Sequence, residues 1–245
     1  MTNSPTVLIT GAAKRIGAVI ARNLHDCGMT IIVHYNQSAT EADSLVTELN
    51  RLRDNSAHLL QADLLDMDGY TSIIARAAGF TGRLDVLINN ASMFYPTPIG
   101  KTTQQEWMEL MGTNLTAPYF LSQAAIRYLE QTSGCIINIT DIHGARPLKD
   151  HPVYSTAKAG LIMLTRALAK ELGPAIRVNA VSPGAILWPE GLSEKKKEQI
   201  LSRTLLKRMG TPEEIAGTVR FLVREATYIT GQVIVVDGGR TFFAD

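Results

Sequence analysis

The chain predicts an α/β fold: a single doubly wound, Rossmann-type domain with a seven-stranded parallel sheet and helices on both faces. Three observations carry that prediction. Seven short, β-branched runs punctuate the sequence: "TVLIT" (6–10), "TIIVHY" (30–35), "AHLLQA" (57–62), "LDVLIN" (84–89), "GCIINIT" (134–140), "IRVNAVS" (176–182) and "QVIVVD" (232–237). Their apolar residues are consecutive rather than alternating, the pattern of strands buried on both faces. Between them lie longer stretches with helical spacing, as in Val153, Ala157, Leu161, Leu164 and Leu168, which recur every three or four residues. Strands alternating with helices need parallel crossovers, and 245 residues without repeat or low-complexity linker read as one domain over 1–245.

The first run passes directly into Thr10-Gly11-Ala12-Ala13-Lys14-Arg15-Ile16-Gly17 and then a helix. Glycines at 11 and 17 allow a tight turn and close helix–strand packing, and N–H groups at the helix start can receive a pyrophosphate. In the first strand–helix–strand unit, such a turn predicts a dinucleotide site. The second run ends in "VHYNQS" without the Asp or Glu that would bind a ribose 2′-hydroxyl. Lys14 and Arg15 bring two cations beneath it, and His34, Asn36, Gln37 and Ser38 offer neutral polar groups, so NADP(H) is favoured over NAD(H). After the third and fourth runs, Asp63 stands where it can reach an adenine and Asn89-Asn90-Ala91 where they can line a ribose; both stretches equally suit turns.

The fifth run leads to Asp141 and, thirteen residues on, to Tyr154, with Lys158 one helical turn further. An ammonium beside a phenol favours phenolate, so the spacing predicts a Tyr154 pKa below about 10, fit to pass a proton near neutral pH. After the sixth run, residues 185–211 are too long for an ordinary connection and predict a mobile substrate lid. The "EKKKE" within it (194–198) reads as a solvated helix face.

Composition sets the class. Apolar residues make up 45% and charged residues 19%, as in a soluble globular protein, and the net charge of +1 is scattered rather than striped. Neither nucleic acid nor an anionic membrane is expected as a partner. Cys27 and Cys135, each beside apolar residues, predict free thiols in a reducing compartment. "MTNSPTVLIT" lacks a basic n-region and a long apolar h-region, and no eighteen apolar residues run together, so a cytoplasmic protein is expected. The histidines at 25, 34, 58, 143 and 151 show no ligand spacing, so no metal is expected, and no G-x-S-x-G elbow suggests a hydrolase. His143 and His151 flank the Tyr154 segment within reach of a substrate.

Taken together, "TGAAKRIG", "NNAS" (89–92), Asn114 in "GTNLTAPYF", Tyr154 with Lys158, "SPG" (182–184) and "ITGQVIVVDGG" (229–239) resemble the short-chain dehydrogenase/reductase family over essentially the whole chain. That resemblance implies a nicotinamide cofactor and Tyr154 as the residue that passes the proton. Lys158 would hold the ribose and tune Tyr154, and Asn114 would position a water in the proton relay. It also implies cofactor contacts from Ile16, Tyr35, Leu64, Asn90, Ala91, Ser92, Thr140, Pro183 and Gly184, beside those from Gly11, Lys14, Arg15, Gly17, His34, Asn36, Ser38 and Asp63. A homotetramer is expected on the same ground.

Two departures narrow the resemblance. The general family pattern has glycine where this chain has Arg15, and serine where it has Asp141. With "NNASMFYPTP" (89–98) and "HYNQSATEA" (34–42), these substitutions resemble the pteridine reductase branch. Physics agrees with that branch. A serine hydroxyl suits a carbonyl substrate because it donates to the developing alkoxide, which a carboxylate would repel. If the acceptor is a ring C=N, hydride arrives at carbon and the nitrogen needs a proton, which a carboxyl beside Tyr154 can supply or relay. Phe94 and Tyr95 add flat surface, and offset stacking on a bicyclic ring contributes about 0.5–1.5 kcal/mol beyond area burial. The expected reaction is NADPH-dependent reduction of a pterin, with folates as further substrates, the ring lying between the nicotinamide and Phe94. Arg15, Ser92, Leu187 and Trp188 would complete the pocket; Trp188 equally suits packing against a neighbouring subunit. Two other readings compete. A carbonyl reductase for an oxoacyl thioester or sugar is opposed by Asp141 and Phe94, and a non-catalytic NADP(H)-binding regulator by intact Asn114, Tyr154 and Lys158.

Overall fold

The structure is a computed structural model describing residues 4–188 and 191–242. Each predicted run is a strand: β1 (Thr6–Ile9), β2 (Thr30–Tyr35), β3 (Ala57–Gln61), β4 (Val86–Asn89), β5 (Cys135–Ile139), β6 (Arg177–Pro183) and β7 (Val233–Val236). They form one seven-stranded sheet in the order β3-β2-β1-β4-β5-β6-β7, with every pairing parallel. The chain winds outward from β1 to β3 and then crosses back to lay β4 against the other side of β1. Leu8 therefore pairs with Ile32 on one side and Leu87 on the other. This reversal opens a crevice at the carboxyl ends of β1 and β4, where open α/β sheets bind ligands.

Helices α1 (Arg15–Asp26), α2 (Ala39–Leu52) and α8 (Pro212–Arg224) cover one face, packing Ile20, Leu45 and Val219 on Val7, Ile9, Ile31 and Val33. Helices α3 (Tyr70–Gly79), α5 (Ala117–Thr132) and α6 (Pro152–Leu172) cover the other, where Ile74, Leu121 and Ala169 meet Leu8, Ile32, Leu87 and Ile136. Successive strand residues point to opposite faces, and both faces are covered, so apolar residues follow one another along the runs instead of alternating with polar ones. Local signals set the helix ends. Helix α4 (Gln104–Met111) starts at a capping box between Thr103 and Glu106, and α8 at another between Thr211 and Glu214 with Pro212 in its first turn.

The helical spacing at 153–168 falls within α6, as expected, with part of that face turned outward. Val153, Ala157 and Leu161 are buried, but Leu164 and Leu168 are only half-buried. Leu164 instead lines an apolar groove of about 400 Å³ between α5 and α6 with Leu115, Tyr119, Phe120 and Met163, the last 60% exposed. The 185–211 stretch is not structureless. It carries α7 (Glu194–Ser202), a helix with no buried residue and a Glu194–Lys197 ion pair at 2.6 Å, which agrees with a solvated face. Its ends are tied together by the Gly210 N–H donating to Ala185 O (3.0 Å), and Leu206 N–H donates to Gly238 O (3.0 Å). These bonds make it an anchored excursion; Pro189 and Glu190 within it lie outside the described residues. Both cysteines are free, and no helix among the described residues is long and apolar enough to cross a membrane.

Candidate active site

The β1–α1 turn is shaped by contacts only glycine permits. Gly11 has φ +61°, and a Cβ there would stand 2.9 Å from Ala91 Cα; a Cβ on Gly17 would stand 2.4 Å from Gly11 O. The turn is buckled to the end of β4. Asn90 Nδ2 donates to Thr10 O (2.8 Å) and Gly11 O (3.0 Å), while the Asn90 and Ala91 N–H groups donate to Thr10 Oγ1. The Asn90 amide is thus committed to the turn rather than held out toward a ribose. His34 is corrected in the same way. It is 2% exposed, and its Nδ1 accepts the Gly11 N–H at 3.1 Å, so it offers no polar group outward. Burial pushes its pKa down to about 4, which keeps the ring a neutral acceptor. Main-chain donors remain for an anion at the start of α1, those of Arg15, Ile16 and Gly17 among them, because N–H groups there lack intrahelical acceptors.

The two cations beside this turn differ. Lys14 lies 3.8 Å from Glu41 on the first turn of α2, so it shares its charge with a carboxylate. Arg15 is exposed and has φ +56°, a backbone conformation that costs an L-residue about 1 kcal/mol and is free to glycine. Tyr35 and Ser38 are half-buried and Asn36 is exposed near the end of β2. Asp63 resolves as a turn residue, its Oδ1 accepting the Leu65 N–H at 3.0 Å, and buried Leu64 accepts the Tyr70 hydroxyl on its carbonyl.

The second cluster lies beyond β5. Asp141 heads a 3-10 turn (Ile142–Gly144); its Oδ1 accepts the His143 N–H at 2.8 Å and its Oδ2 accepts the Tyr154 hydroxyl at 2.8 Å. One carboxylate is therefore both a turn cap and the partner of the phenol. Lys158, 2% exposed, donates to Ile139 O at 3.0 Å and sits 5.7 Å from the Tyr154 ring centroid. The expected lowering of the Tyr154 pKa is overturned. Burial, then the charge of Asp141 and the hydrogen bond to it, push it well above its usual value, with only the Ser92 hydroxyl opposing. Burial likewise pushes the Lys158 pKa down, to about 8, against the pull of Asp141. Asn114 is fully buried in a π-helical segment (Gly112–Thr116) between α4 and α5, a local widening frequent at functional sites. Its Oδ1 accepts the Ser92 hydroxyl (2.7 Å) and its Nδ2 donates to Met93 O and Leu110 O.

The remaining expected residues divide. Thr140 donates its hydroxyl to Val181 O (3.0 Å), and Gly184 follows Pro183 so close to Asp237 that a Cβ would stand 2.6 Å from that residue's Cβ; these three shape the sheet end. Phe94, 46% exposed, meets Tyr154 edge-on with centroids 4.8 Å apart. Tyr95 is turned away, donating its hydroxyl to Glu109 Oε2 at 2.9 Å, so it braces α4 and adds no flat surface to the pocket. Leu187 packs at the edge of the core and Trp188 is half-buried beside it. His151, weighed lightly from sequence, stacks on Phe94 at 4.6 Å and 12°. His151, expected within reach of a substrate, is the N-cap of α6, three residues before Tyr154.

The chemistry of these groups fits a dinucleotide. The α1 start offers N–H donors to a pyrophosphate, and the buried Lys158 ammonium has three donors with one protein acceptor among the described residues. A buried amine with donors to spare at the sheet end is suited to a ligand's hydroxyls.

Comparison with known proteins agrees. A family model described as enoyl-(acyl carrier protein) reductase matches residues 11–241. Pteridine reductase 1 of Leishmania tarentolae is 38% identical, with 98% of each chain covered. The 3-oxoacyl-[acyl-carrier-protein] reductase of a Synechocystis species is also 38% identical, with 96% of each covered. The FabG enzyme of the same description from Staphylococcus aureus is 36% identical over 98% of this chain and 99% of its own. With its seven-stranded doubly wound sheet and glycine turn, the chain belongs to the short-chain dehydrogenase/reductase family and is an NAD(P)-dependent reductase.

Proposed function

We propose that the protein is an NADPH-dependent pterin reductase, acting on dihydro- or oxidised pterins and on folates. The observation that carries this reading is the hydrogen bond from the Tyr154 hydroxyl to Asp141 Oδ2 at 2.8 Å. When bound, the nicotinamide supplies a hydride to a ring carbon. The chain's own residues must then deliver one proton to the adjacent nitrogen. Tyr154 holds its proton firmly, since burial and Asp141 both oppose phenolate. Losing it outright would set two negative charges side by side, so the pair acts as a unit. Tyr154 gives its proton to the substrate as Asp141, half-exposed, returns one drawn from solvent. Lys158, buried beneath both, binds the ribose hydroxyls and offsets the carboxylate's charge. Phe94 is the shelf on which a flat ring lies, with Ser92 and Arg15 at its edges. The α1 turn with Lys14 and Arg15 holds the phosphates, and the absence of an acid at the end of β2 favours the 2′-phosphate.

A second reading, reduction of a 3-oxoacyl thioester, is favoured by the relatives of that description at 36–38% identity. Loss of NADPH absorbance against matched pterins, folates and ketones separates the two. Turnover of pterins is expected; turnover of ketones alone would overturn the proposal. Homotetramer formation belongs to the same reading, supported by the exposed apolar groove between α5 and α6. Sedimentation of Met163→Asp beside the native chain tests it, with a smaller species expected.

A further inference from the structure

We propose that Glu41 sets how sharply the protein distinguishes NADPH from NADH: by holding Lys14, its carboxylate competes with the cofactor's 2′-phosphate for that cation. The proposal rests on the cofactor reading above and adds the residue that opposes the 2′-phosphate.

The Lys14–Glu41 pair spans the place where a 2′-phosphate must sit. In a strand–helix–strand dinucleotide site the adenosine ribose lies between the glycine turn and the end of the second strand. Lys14 closes the turn as the N-cap of α1, and Glu41 stands in the first turn of α2, just beyond the end of β2. Their side chains meet at 3.8 Å, each about half exposed, so a ligand arriving from solvent can take Lys14 over. Both edges of the gap are fixed by the fold. Ala12 N–H donates to His34 O at 2.9 Å, Gln61 Nε2 donates to Asn36 O at 3.0 Å, and Ala42 N–H donates to Ser38 O at 3.0 Å where α2 begins.

The rest of the gap suits an anion. Residues 33–40 include no Asp, Glu, Lys or Arg, and burial keeps His34 neutral. Ser38, the N-cap of α2, makes no capping bond, which leaves its hydroxyl unspent. Of the two cations at the turn, Lys14 alone is matched by an acid among the described residues. A 2′-phosphate carries up to about two negative charges near neutral pH, and Glu41 sets another beside them. NADH has only a hydroxyl at that carbon. The carboxylate therefore opposes NADPH and leaves NADH alone. An acid in a first turn also complements the helix dipole, but that role stabilises α2 for both cofactors alike, so selectivity separates the two.

The test measures Kd for NADPH and for NADH by calorimetry on the native chain, Glu41→Gln and Asp43→Asn, at about 20 mM and about 500 mM salt. Asp43 is exposed on the same helix without an ion pair among the described residues, so it controls for the loss of one negative charge. At low salt Glu41→Gln should tighten NADPH about two- to fivefold, the size of an exposed ion pair, with NADH unchanged. The gain should shrink at high salt, where the charges are screened. Asp43→Asn should bind both cofactors as the native chain does. Unchanged NADPH affinity in Glu41→Gln overturns the proposal, as does equal tightening of both cofactors or the same gain from Asp43→Asn. If neither the native chain nor Glu41→Gln prefers NADPH, the cofactor reading fails with it; if the native chain prefers NADPH and Glu41→Gln does not deepen that preference, only this inference fails.

Discussion

Asp141→Asn isolates the feature on which the proposed chemistry depends. The substitution keeps shape and volume, and Oδ1 still accepts the His143 N–H that caps the 3-10 turn, now 2.8 Å away. What is lost is the second oxygen itself, which receives the Tyr154 hydroxyl at 2.8 Å; the amide NH2 in its place only donates. The hydrogen bond lost, one to a charged acceptor, contributes about 1.5–3 kcal/mol. A positioned acid–base group contributes about 10²–10⁴-fold to rate. The amide cannot take up and return a proton, so the second, larger quantity applies, and kcat for pterin should fall by about 100-fold or more. Asp141 also raises the Lys158 pKa, which sits at about 8, so its removal lowers that value further. Assays at about pH 6.5 keep the lysine charged and leave NADPH affinity within about threefold. The measurement is single-turnover loss of NADPH absorbance with dihydropterin, beside direct titration of the cofactor. Pterin turnover within about threefold of native would refute the proton role of Asp141.

Three further outcomes are expected. Lys158 titrates at about 8 in the folded chain against 10.5 unfolded, so between those values the unfolded state binds more protons and stability rises with pH, the burial cost being fully present below pH 8. Urea unfolding of the native chain from pH 8 to 10 should show that rise, and Lys158→Met should flatten it while adding on the order of 3 kcal/mol at neutral pH. Arg15→Gly should relieve the φ of +56° and raise stability by about 1 kcal/mol while weakening cofactor binding, as calorimetry would report. Gly17→Ala places a Cβ 2.4 Å from Gly11 O, a rigid carbonyl, and should cost about 1–3 kcal/mol of stability and most of the NADPH affinity.

The sequence by itself determined the sheet. β-Branched runs with no alternation can only be buried on both sides, so all seven strands were readable to within two residues. It also determined the i, i+4 pairing of Tyr154 with Lys158 and, through Gly11 and Gly17, the position of the first turn, because these depend on local geometry alone. Direction and environment were decided only by the tertiary structure. Whether Tyr154 is acidified depends on how deeply it and Lys158 are buried and on which charge is nearer, and Asp141, thirteen residues away in sequence, reaches it first. His34 turns inward because β2 lies beside β1 and presents it to the Gly11 N–H, and Tyr95 turns to Glu109 because α4 packs against its loop. His151 reaches Phe94 because two loops separated by some fifty residues of chain are latched at Thr97 and Asp150. Periodicity records what a side chain must bury; only the packed chain says what it faces once buried.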